Sequence, residues 1–221
     1  MIEAVLFDID GTLITTGGAG AVAWSRAFEE LHGQPVDIEA VTESGMTDPE
    51  VGVAALRAVL ERDPDRRELA QAMGLYLRRL PDAIEESDGY RVMPGIEALL
   101  ERLVDDGLLL GLTTGNVEAA AHIKLGRAGL NRFFTFGGYG SDSNDRAELT
   151  RRAIERAILV SGGALEPQQC ISVGDTPRDV VAAHAAEIRV AAVATGNYPL
   201  EELRAAGADW AIANVEDGFP L

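Results

Sequence analysis

The segment Val5–Leu13, with the sequence VLFDIDGTL, is the most informative stretch of this chain. A short apolar run ends in two carboxylates two residues apart, Asp8 and Asp10, and a glycine follows. Side chains alternate along a strand, so these two residues begin on the same side of the chain. Like charges held together are costly unless a proton or a hard divalent cation relieves them. The segment predicts a metal-assisted reaction site at the carboxyl end of a strand, although Asp and Gly also suit a solvated turn.

The composition is that of a globular protein with a strongly acidic surface. The chain has 221 residues, 47% of them hydrophobic and 25% charged, which allows a core domain and a smaller second domain. The formal net charge of −17 disfavours nucleic acid and anionic membrane surfaces as partners. No stretch has the apolar length of a membrane span, and no secretory signal is recognisable. We therefore expect a soluble cytoplasmic protein, either a monomer or a homodimer.

Short apolar runs alternate with longer helical patterns over most of the chain. This alternation predicts an α/β fold built on a parallel sheet. Ligands in such sheets bind beyond the carboxyl ends of the strands, so polar residues that follow a strand are candidates for a site. The expected strands are Ala4–Asp8, Leu108–Thr113, Phe133–Gly137, Cys170–Val173, Val190–Ala194 and Trp210–Ile212.

The interval of residues 17–89 does not show this alternation of strands and helices. It contains three helical patterns and no convincing strand: Ala19–Leu31, Asp48–Glu61 and Arg67–Ile84. An insertion of that length after the first strand indicates a small all-helical second domain. We therefore expect a core domain of residues 1–16 and 90–221 and a helical domain of residues 17–89.

A second polar segment, Thr114, Gly115 and Asn116, follows an apolar run and precedes a helical pattern. A hydroxyl group and several backbone N–H groups would then lie at a helix N-terminus. Free N–H groups and the helix dipole favour negative charge there, which predicts an anion site. Asn116 would alternatively serve only as the helix N-cap.

A third segment, Gly174–Asp179, again places a carboxylate directly after a strand and before a helix. Asp175 would lie beside Asp8 and Asp10 if the two strands are neighbours in a parallel sheet, and we expect it to bind the metal. Asp179 follows Thr176 at the spacing of a capping box. We expect Asp179 to contact and orient the residues that bind the metal, and not to bind the ion itself.

Two further residues are weaker candidates. Arg146 follows the strand Phe133–Gly137 and could reach an anionic ligand, or could be an exposed arginine in a first helical turn. Thr47 lies in the loop of residues 43–48 within the helical insertion, which we expect to face the site and to select the substrate. Thr47 is also well placed to cap the next helix.

In this order, the segments resemble the four signature motifs of the haloacid dehalogenase superfamily, and the resemblance extends from residue 4 to about residue 214. The insertion looks like the helical cap of the phosphoglycolate phosphatase-like and β-phosphoglucomutase-like branch. The third motif usually carries lysine, whereas this chain has Arg146, and its single lysine is Lys124. The matching residues are Asp8 and Asp10, then Thr114 with Gly115 and Asn116, then Arg146, and finally Asp175 and Asp179.

The resemblance implies a Rossmann-like core and a covalent phosphoryl-transfer mechanism. Asp8 would attack phosphorus to form an aspartyl-phosphate, and Asp10 would protonate the leaving alcohol and then activate water. Mg²⁺ would bind to Asp8, the Asp10 backbone carbonyl and Asp175. The phosphoryl oxygens would be held by Thr114, Gly115, Asn116 and Arg146.

The leading hypothesis is therefore an Mg²⁺-dependent phosphatase for a small phosphorylated metabolite, phosphoglycolate-like or a sugar phosphate. The presence of Asp10 favours phosphoryl chemistry over carbon–halogen cleavage, because a halide leaving group needs no proton. A phosphosugar mutase would use the same core residues, with a sugar hydroxyl in place of water. A non-catalytic phosphometabolite-binding protein is the third possibility, although it would have no need of both Asp8 and Asp10.

Overall fold

The computed structural model describes the whole chain, Met1–Leu221. Its strands are β1 (Ala4–Phe7), β2 (Ile14–Thr15), β3 (Arg91–Val92), β4 (Leu109–Thr114), β5 (Phe136–Tyr139), β6 (Cys170–Gly174), β7 (Arg189–Val193) and β8 (Trp210–Ile212). Its helices are α1 (Ala19–His32), α2 (Ile38–Val41), α3 (Asp48–Leu60), α4 (Arg66–Glu86), α5 (Ile96–Asp105), α6 (Glu118–Gly126), α7 (Arg146–Val160), α8 (Pro177–Ala185) and α9 (Leu200–Ala205).

Six strands form one parallel sheet in the order β5-β4-β1-β6-β7-β8. The strand β1 is buried on both faces, as its continuous apolar sequence requires. Val5 and Phe7 pack into one core cluster with α5 and α6, whereas Ala4 and Leu6 pack into another with α7, α8 and α9. Helices therefore cover both faces of the sheet, and the predicted α/β fold is confirmed.

The strand order reverses between β1 and β6. The chain moves outward from β1 to β4 and β5, and then returns to β6 on the other side of β1. Such a reversal opens a crevice beyond the carboxyl ends of the two strands. Phe7 pairs with Val173 in the parallel register, so Asp8 and Asp175, which follow the two strands, both reach this crevice.

The helices α1 to α4 lie between β2 and β3 and pack around a third apolar cluster. Its centre is the stacked pair Trp24 and Tyr76, whose ring centroids are 4.3 Å apart. Val117 and Ala120, at the start of α6, also belong to this cluster, so the helices rest on the loop that follows β4. This arrangement suits the division into residues 17–89 and a core, which stays a prediction.

The two connections between these helices and the sheet lie side by side. The short strands β2 and β3 pair antiparallel, and the hydroxyl of Ser87 donates a hydrogen bond of 2.7 Å to the Thr16 carbonyl. A Cβ atom on Gly17 would lie 2.5 Å from the Cα atom of Gly89, so only glycines permit this approach. Neither strand is evident from the sequence, because a two-residue strand has no detectable periodicity.

Some element boundaries differ from the prediction. The strand expected at Phe133–Gly137 is β5 at Phe136–Tyr139, because a 3₁₀ helix occupies Leu130–Phe133. The short helix α2 was not expected, and its N-cap is Asp37, whose side chain accepts a hydrogen bond from the Ala40 N–H. None of the helices combines the length and the hydrophobicity that crossing a bilayer requires.

The packing of α7 on the sheet predicts a large effect of one methyl group. A Cβ atom on Gly138, in β5, would lie 1.8 Å from the Leu149 carbonyl oxygen in α7, so Gly138→Ala forces the helix away from the sheet. We expect a loss of about 1–3 kcal/mol in the free energy of unfolding, measured by denaturant titration. The matched control is Gly74→Ala in α4, where a Cβ atom would meet nothing within 4 Å. This variant should raise the free energy of unfolding by about 0.5–1 kcal/mol, because alanine favours a helix more than glycine does. Equal stability of the two variants would contradict this packing.

Candidate active site

Three buried carboxylates meet in the crevice between β1 and β6. Asp8, Asp175 and Asp179 each offer an oxygen, and these oxygens lie within 4.8 Å of one another. Their exposed fractions are 6%, 2% and 3%. Asp8 and Asp175 are placed by the strand ends, whereas Asp179 is placed by the first turn of α8.

The cluster carries a strong electrostatic penalty. Burial, then the nearby carboxylate of Asp179, raises the pKa of Asp8 to about 7. Burial, then Asp179 and Asp8, raises the pKa of Asp175 to about 9. Both shifts favour the protonated acids, so ionising the whole cluster requires a compensating cation.

The donor set fits a hard divalent cation. It consists of carboxylate oxygens, the ligands that Mg²⁺ prefers, in a pocket that glycine backbones enclose. Cβ atoms on Gly11 and Gly196 would lie 2.4 Å and 1.8 Å from Asp175 Oδ2, which is too close for any side chain. Only glycine therefore lets the backbone pack against this carboxylate at these two positions. Thr12 Oγ1 donates a hydrogen bond of 3.2 Å to Asp175 Oδ1 and fixes its orientation. The cluster can therefore hold a divalent metal.

Arg146 supplies the positive charge beside Asp8. It is the first residue of α7, and its Nη2 lies 3.6 Å from Asp8 Oδ1 while also pairing with Asp179. Burial disfavours its charge, but Asp179 and then Asp8 outweigh this effect, so the pKa of the Arg146 guanidinium is raised. The arginine is a cation of the site with only 12% of its side chain exposed, and it is not an exposed first-turn residue.

Asp179 joins helix capping to this ion pair. Thr176 donates to Asp179 Oδ2 from its backbone N–H at 3.0 Å and from its hydroxyl at 2.7 Å, and the hydroxyl also accepts from the Asp179 N–H. This is the capping box that the sequence indicated. The other oxygen, Oδ1, faces Arg146. Asp179 therefore connects the start of α8 with the arginine and, through it, with Asp8.

Thr114 ends β4, Gly115 and Asn116 follow it, and all three border the same space as Asp8 and Asp10. Asn116 Nδ2 donates to Asp10 Oδ2 and to Thr114 Oγ1, both at 2.8 Å. Asn116 is not the N-cap of α6. That position belongs to Val117, whose side chain cannot accept a hydrogen bond. The amide side chain of Asn116 is therefore free to orient Asp10.

Two charged residues of the site were missed by the sequence analysis. Lys124, in α6, places Nζ 2.7 Å from Asp10 Oδ2, and only 7% of its side chain is exposed. Asp48, the first residue of α3, accepts a hydrogen bond of 2.8 Å from the Val117 N–H and therefore caps α6 from another element. Burial raises the pKa of Asp48 to about 6. A lone lysine and an aspartate in a first helical turn have no distinctive spacing, so only the fold brings them together.

The helices α1 to α4 close over these residues and leave a cavity of about 180 Å³. Its floor is formed by the residues that follow β1 and β4, and its roof includes Trp24, Met46, Asp48 and Tyr76. A hydrogen bond of 2.8 Å from the Asp48 N–H to the Gly115 carbonyl joins the roof to the floor. The cavity has room for a small molecule.

Thr47 does not line this cavity, although Met46 and Asp48 on either side of it do. It is fully buried and forms a capping box with Glu50 at the start of α3. Its hydroxyl also donates a hydrogen bond of 3.2 Å to Asn144 Oδ1. The side chain of Thr47 therefore caps α3, the alternative that the sequence offered. The cavity is lined instead by its neighbours Met46 and Asp48.

Arg178 forms a further link between the loop of residues 43–48 and the core. From the start of α8, its Nη2 lies 3.2 Å from Glu43 Oε2 and its Nη1 donates to the Gly45 carbonyl at 3.4 Å. These contacts hold the loop against the mouth of the crevice.

Comparison with known proteins agrees with this geometry. Residues 2–187 match the family model of the haloacid dehalogenase-like hydrolases. A phosphoglycolate phosphatase of Rhodospirillum rubrum is 32% identical, over 100% of this chain and 92% of that protein. One of Pseudomonas putida is 30% identical, over 87% of this chain and 69% of that protein. The crystal structure of CbbY from Rhodobacter sphaeroides in complex with phosphate has the same fold, with a TM-score of 0.76, 20% identity and coverage of 99% and 97% of the two chains. The chain belongs to the haloacid dehalogenase-like hydrolase family.

Proposed function

We propose that this protein is a phosphatase that hydrolyses a small phosphorylated metabolite through an aspartyl-phosphate on Asp8, with Mg²⁺ as its cofactor. The observation that carries the proposal is the position of Asp8, which lies close to both the carboxylate of Asp175 and the guanidinium of Arg146 at the floor of the cavity beneath α1 to α4. A nucleophilic carboxylate, a metal-binding carboxylate and a cation for phosphoryl oxygens are thereby brought to one point.

In the first step, an oxygen of Asp8 attacks phosphorus and the bond from phosphorus to the ester oxygen breaks. Asp10 gives its proton to that oxygen, so the alcohol leaves uncharged. Thr114, the N–H of Gly115 and Arg146 hold the remaining phosphoryl oxygens, and Asn116 orients Asp10.

In the second step, Asp10 takes a proton from a water molecule, which attacks the phosphorus of the aspartyl-phosphate. The bond between phosphorus and the Asp8 oxygen breaks, which regenerates the carboxylate and releases inorganic phosphate. Asp8, Asp175 and the Asp10 backbone carbonyl would hold Mg²⁺, and Asp179 would support them by fixing Arg146. A bound divalent cation supplies charge neutralisation for both the phosphoryl oxygens and the carboxylate cluster.

Residues 17–89 would act as a cap that excludes bulk water and selects the leaving alcohol, over a core of residues 1–16 and 90–221. A mutase would need an acid–base group in this cap. Asp48 is the only carboxylate that the cap contributes to the cavity, and its oxygens already accept hydrogen bonds from the Val117 N–H at 2.8 Å and the Tyr76 hydroxyl at 3.4 Å. This favours water over a sugar hydroxyl as the phosphoryl acceptor.

The nucleophile is tested with Asp8→Asn, which keeps the size of the side chain but removes its nucleophilic oxygen. We expect release of phosphate from p-nitrophenyl phosphate to fall by at least about 10³-fold, while circular dichroism and melting temperature show an intact fold. The control is Asp82→Asn, the same change at an exposed position in α4, which should leave turnover unchanged. Substantial turnover by Asp8→Asn would contradict the covalent mechanism.

The metal site is tested by thermal melting as well as by activity. At a concentration of Mg²⁺ about 100 times its dissociation constant, binding raises the free energy of unfolding by about 2.7 kcal/mol. For a chain of this size, that corresponds to an increase of about 5–10 °C in melting temperature. We expect this increase in the wild type and little of it in Asp175→Asn. Without metal and at neutral pH, Asp175→Asn should melt higher than the wild type, because burial and the neighbouring carboxylates raise the pKa of Asp175 and the wild type must take up a proton as it folds. Chelation should abolish phosphate release, and added Mg²⁺ should restore it. The same metal response in both proteins would place the ion elsewhere.

The charges of the cavity predict its choice between two classes of substrate. Arg146 pairs with Asp8 and Asp179, and Lys124 pairs with Asp10, so no cation in the cavity is free of a carboxylate. Asp48 adds a further negative charge to the roof. Phosphoglycolate, the substrate in the relatives' names, would bring an unpaired carboxylate to this end of the cavity. A phosphate ester of an uncharged alcohol, such as a small sugar phosphate, would not.

The comparison uses phosphoglycolate and hydroxyethyl phosphate, in which a CH₂OH group replaces the carboxylate. A like charge at 4 Å costs about 1–4 kcal/mol, depending on the effective dielectric constant, so we expect hydroxyethyl phosphate to have a kcat/KM at least about tenfold higher. Asp48→Asn should reduce the ratio of kcat/KM between hydroxyethyl phosphate and phosphoglycolate, because it removes one negative charge from the cavity. Preference for phosphoglycolate in the wild type would refute the prediction.

A further inference from the structure

Lys124 is a buried cation for which the proposed mechanism has no role. It is the only lysine of the chain, it lies in α6, and 7% of its side chain is exposed. It forms a salt bridge with Asp10 and lines the same cavity as Asp48, so its positive charge lies among carboxylates. Burying an ion pair is weak support for stability, because desolvation offsets the attraction. A role in the site explains the lysine better.

The contacts of Lys124 are made to one particular oxygen. Its Nζ donates to Asp10 Oδ2 at 2.7 Å, and Asn116 Nδ2 donates to the same oxygen at 2.8 Å. The side chain of Asp10 is otherwise 41% exposed toward the cavities beside it. Two donors on Oδ2 fix the plane of the carboxyl group and leave Oδ1 as the oxygen without a protein donor.

Lys124 has a different environment from Arg146. The arginine contacts Asp8, the nucleophile, and therefore lies where phosphoryl oxygens arrive. The lysine contacts Asp10 and lies beneath the start of α1, where a Cβ atom on Gly20 would be 3.9 Å from Nζ. The two cations thus pair with different carboxylates, Arg146 with the proposed nucleophile and Lys124 with the proposed acid–base residue.

We propose that Lys124 is a positioning residue for Asp10. By holding Oδ2, it presents Oδ1 to the ester oxygen when the alcohol leaves and to the water when the aspartyl-phosphate is hydrolysed. One proton moves from Oδ1 to the ester oxygen in the first step, and one returns from water to Oδ1 in the second. This inference rests on the proposed function, because it assigns Lys124 to the general acid of that reaction.

The test compares two esters that differ in their need for a proton. Hydroxyethyl phosphate has a poor leaving group that requires protonation, whereas p-nitrophenyl phosphate releases a phenolate that is stable without it. The value of kcat/KM includes the step in which the alcohol leaves. In Lys124→Met we expect kcat/KM to fall by about 10–100-fold for hydroxyethyl phosphate and by less than about threefold for p-nitrophenyl phosphate.

Two further variants separate positioning from folding. Lys124→Arg keeps the positive charge, so its kcat/KM for hydroxyethyl phosphate should fall less than that of Lys124→Met. If Lys124→Met does not fold, Lys124→Arg serves as the test. Its kcat/KM should then fall for hydroxyethyl phosphate and stay unchanged for p-nitrophenyl phosphate. Adding Lys124→Met to Asp10→Asn should cost less than about threefold beyond Asp10→Asn alone, because a residue that acts through Asp10 has nothing left to position.

Equal losses for both esters, or losses that multiply in the double variant, would overturn the role and would make Lys124 a direct ligand of the phosphoryl group or a structural residue. Failure of the wild type to hydrolyse either ester with Mg²⁺ would instead overturn the proposed function, and the role of Lys124 with it.

Discussion

Buried negative charge at the carboxyl ends of β1 and β6 is the constraint on which the site depends. Asp8, Asp175 and Asp179 lie within 4.8 Å of one another in a crevice that the reversal of strand order creates. Water cannot solvate them there, so the surrounding structure must supply positive charge. Arg146 supplies part of it from the start of α7, and a divalent cation would supply the rest. A phosphoryl group, which is itself anionic, can approach only because of this compensation.

The second constraint is closure. The helices α1 to α4 have their own apolar cluster, but they also rest on the loop after β4 through Val117 and Ala120. Asp48 makes this connection polar as well, because its backbone N–H donates to Gly115 and its carboxylate caps α6. The residues that would bind phosphate and those that would select the alcohol are therefore held by the same few hydrogen bonds. In the proposed reaction, substrate recognition and the exclusion of water would both depend on this one interface.

Much of this arrangement could be predicted from the sequence, because each strand end carries its polar residues in a short, recognisable segment. The positions of Asp8 and Asp175 follow from two apolar runs and the geometry of a parallel sheet. The capping box of Asp179 follows from its spacing to Thr176. The role of Lys124 could not be predicted, since its contact with Asp10 joins residues far apart in the chain and depends on how α6 packs. Asp48 was missed for the same reason, since it caps α6 from a distant part of the chain. The strands β2 and β3 were missed because two residues have no detectable periodicity.

The central claim is that Asp8 itself accepts the phosphoryl group before water does. The stereochemical course at phosphorus tests it directly, with a phosphate ester made chiral by oxygen isotopes and hydrolysed by the wild-type enzyme. Two successive in-line displacements, first by Asp8 and then by water, predict overall retention of configuration. Inversion would mean that water attacks the ester directly, and it would contradict the assignment of Asp8 as the nucleophile.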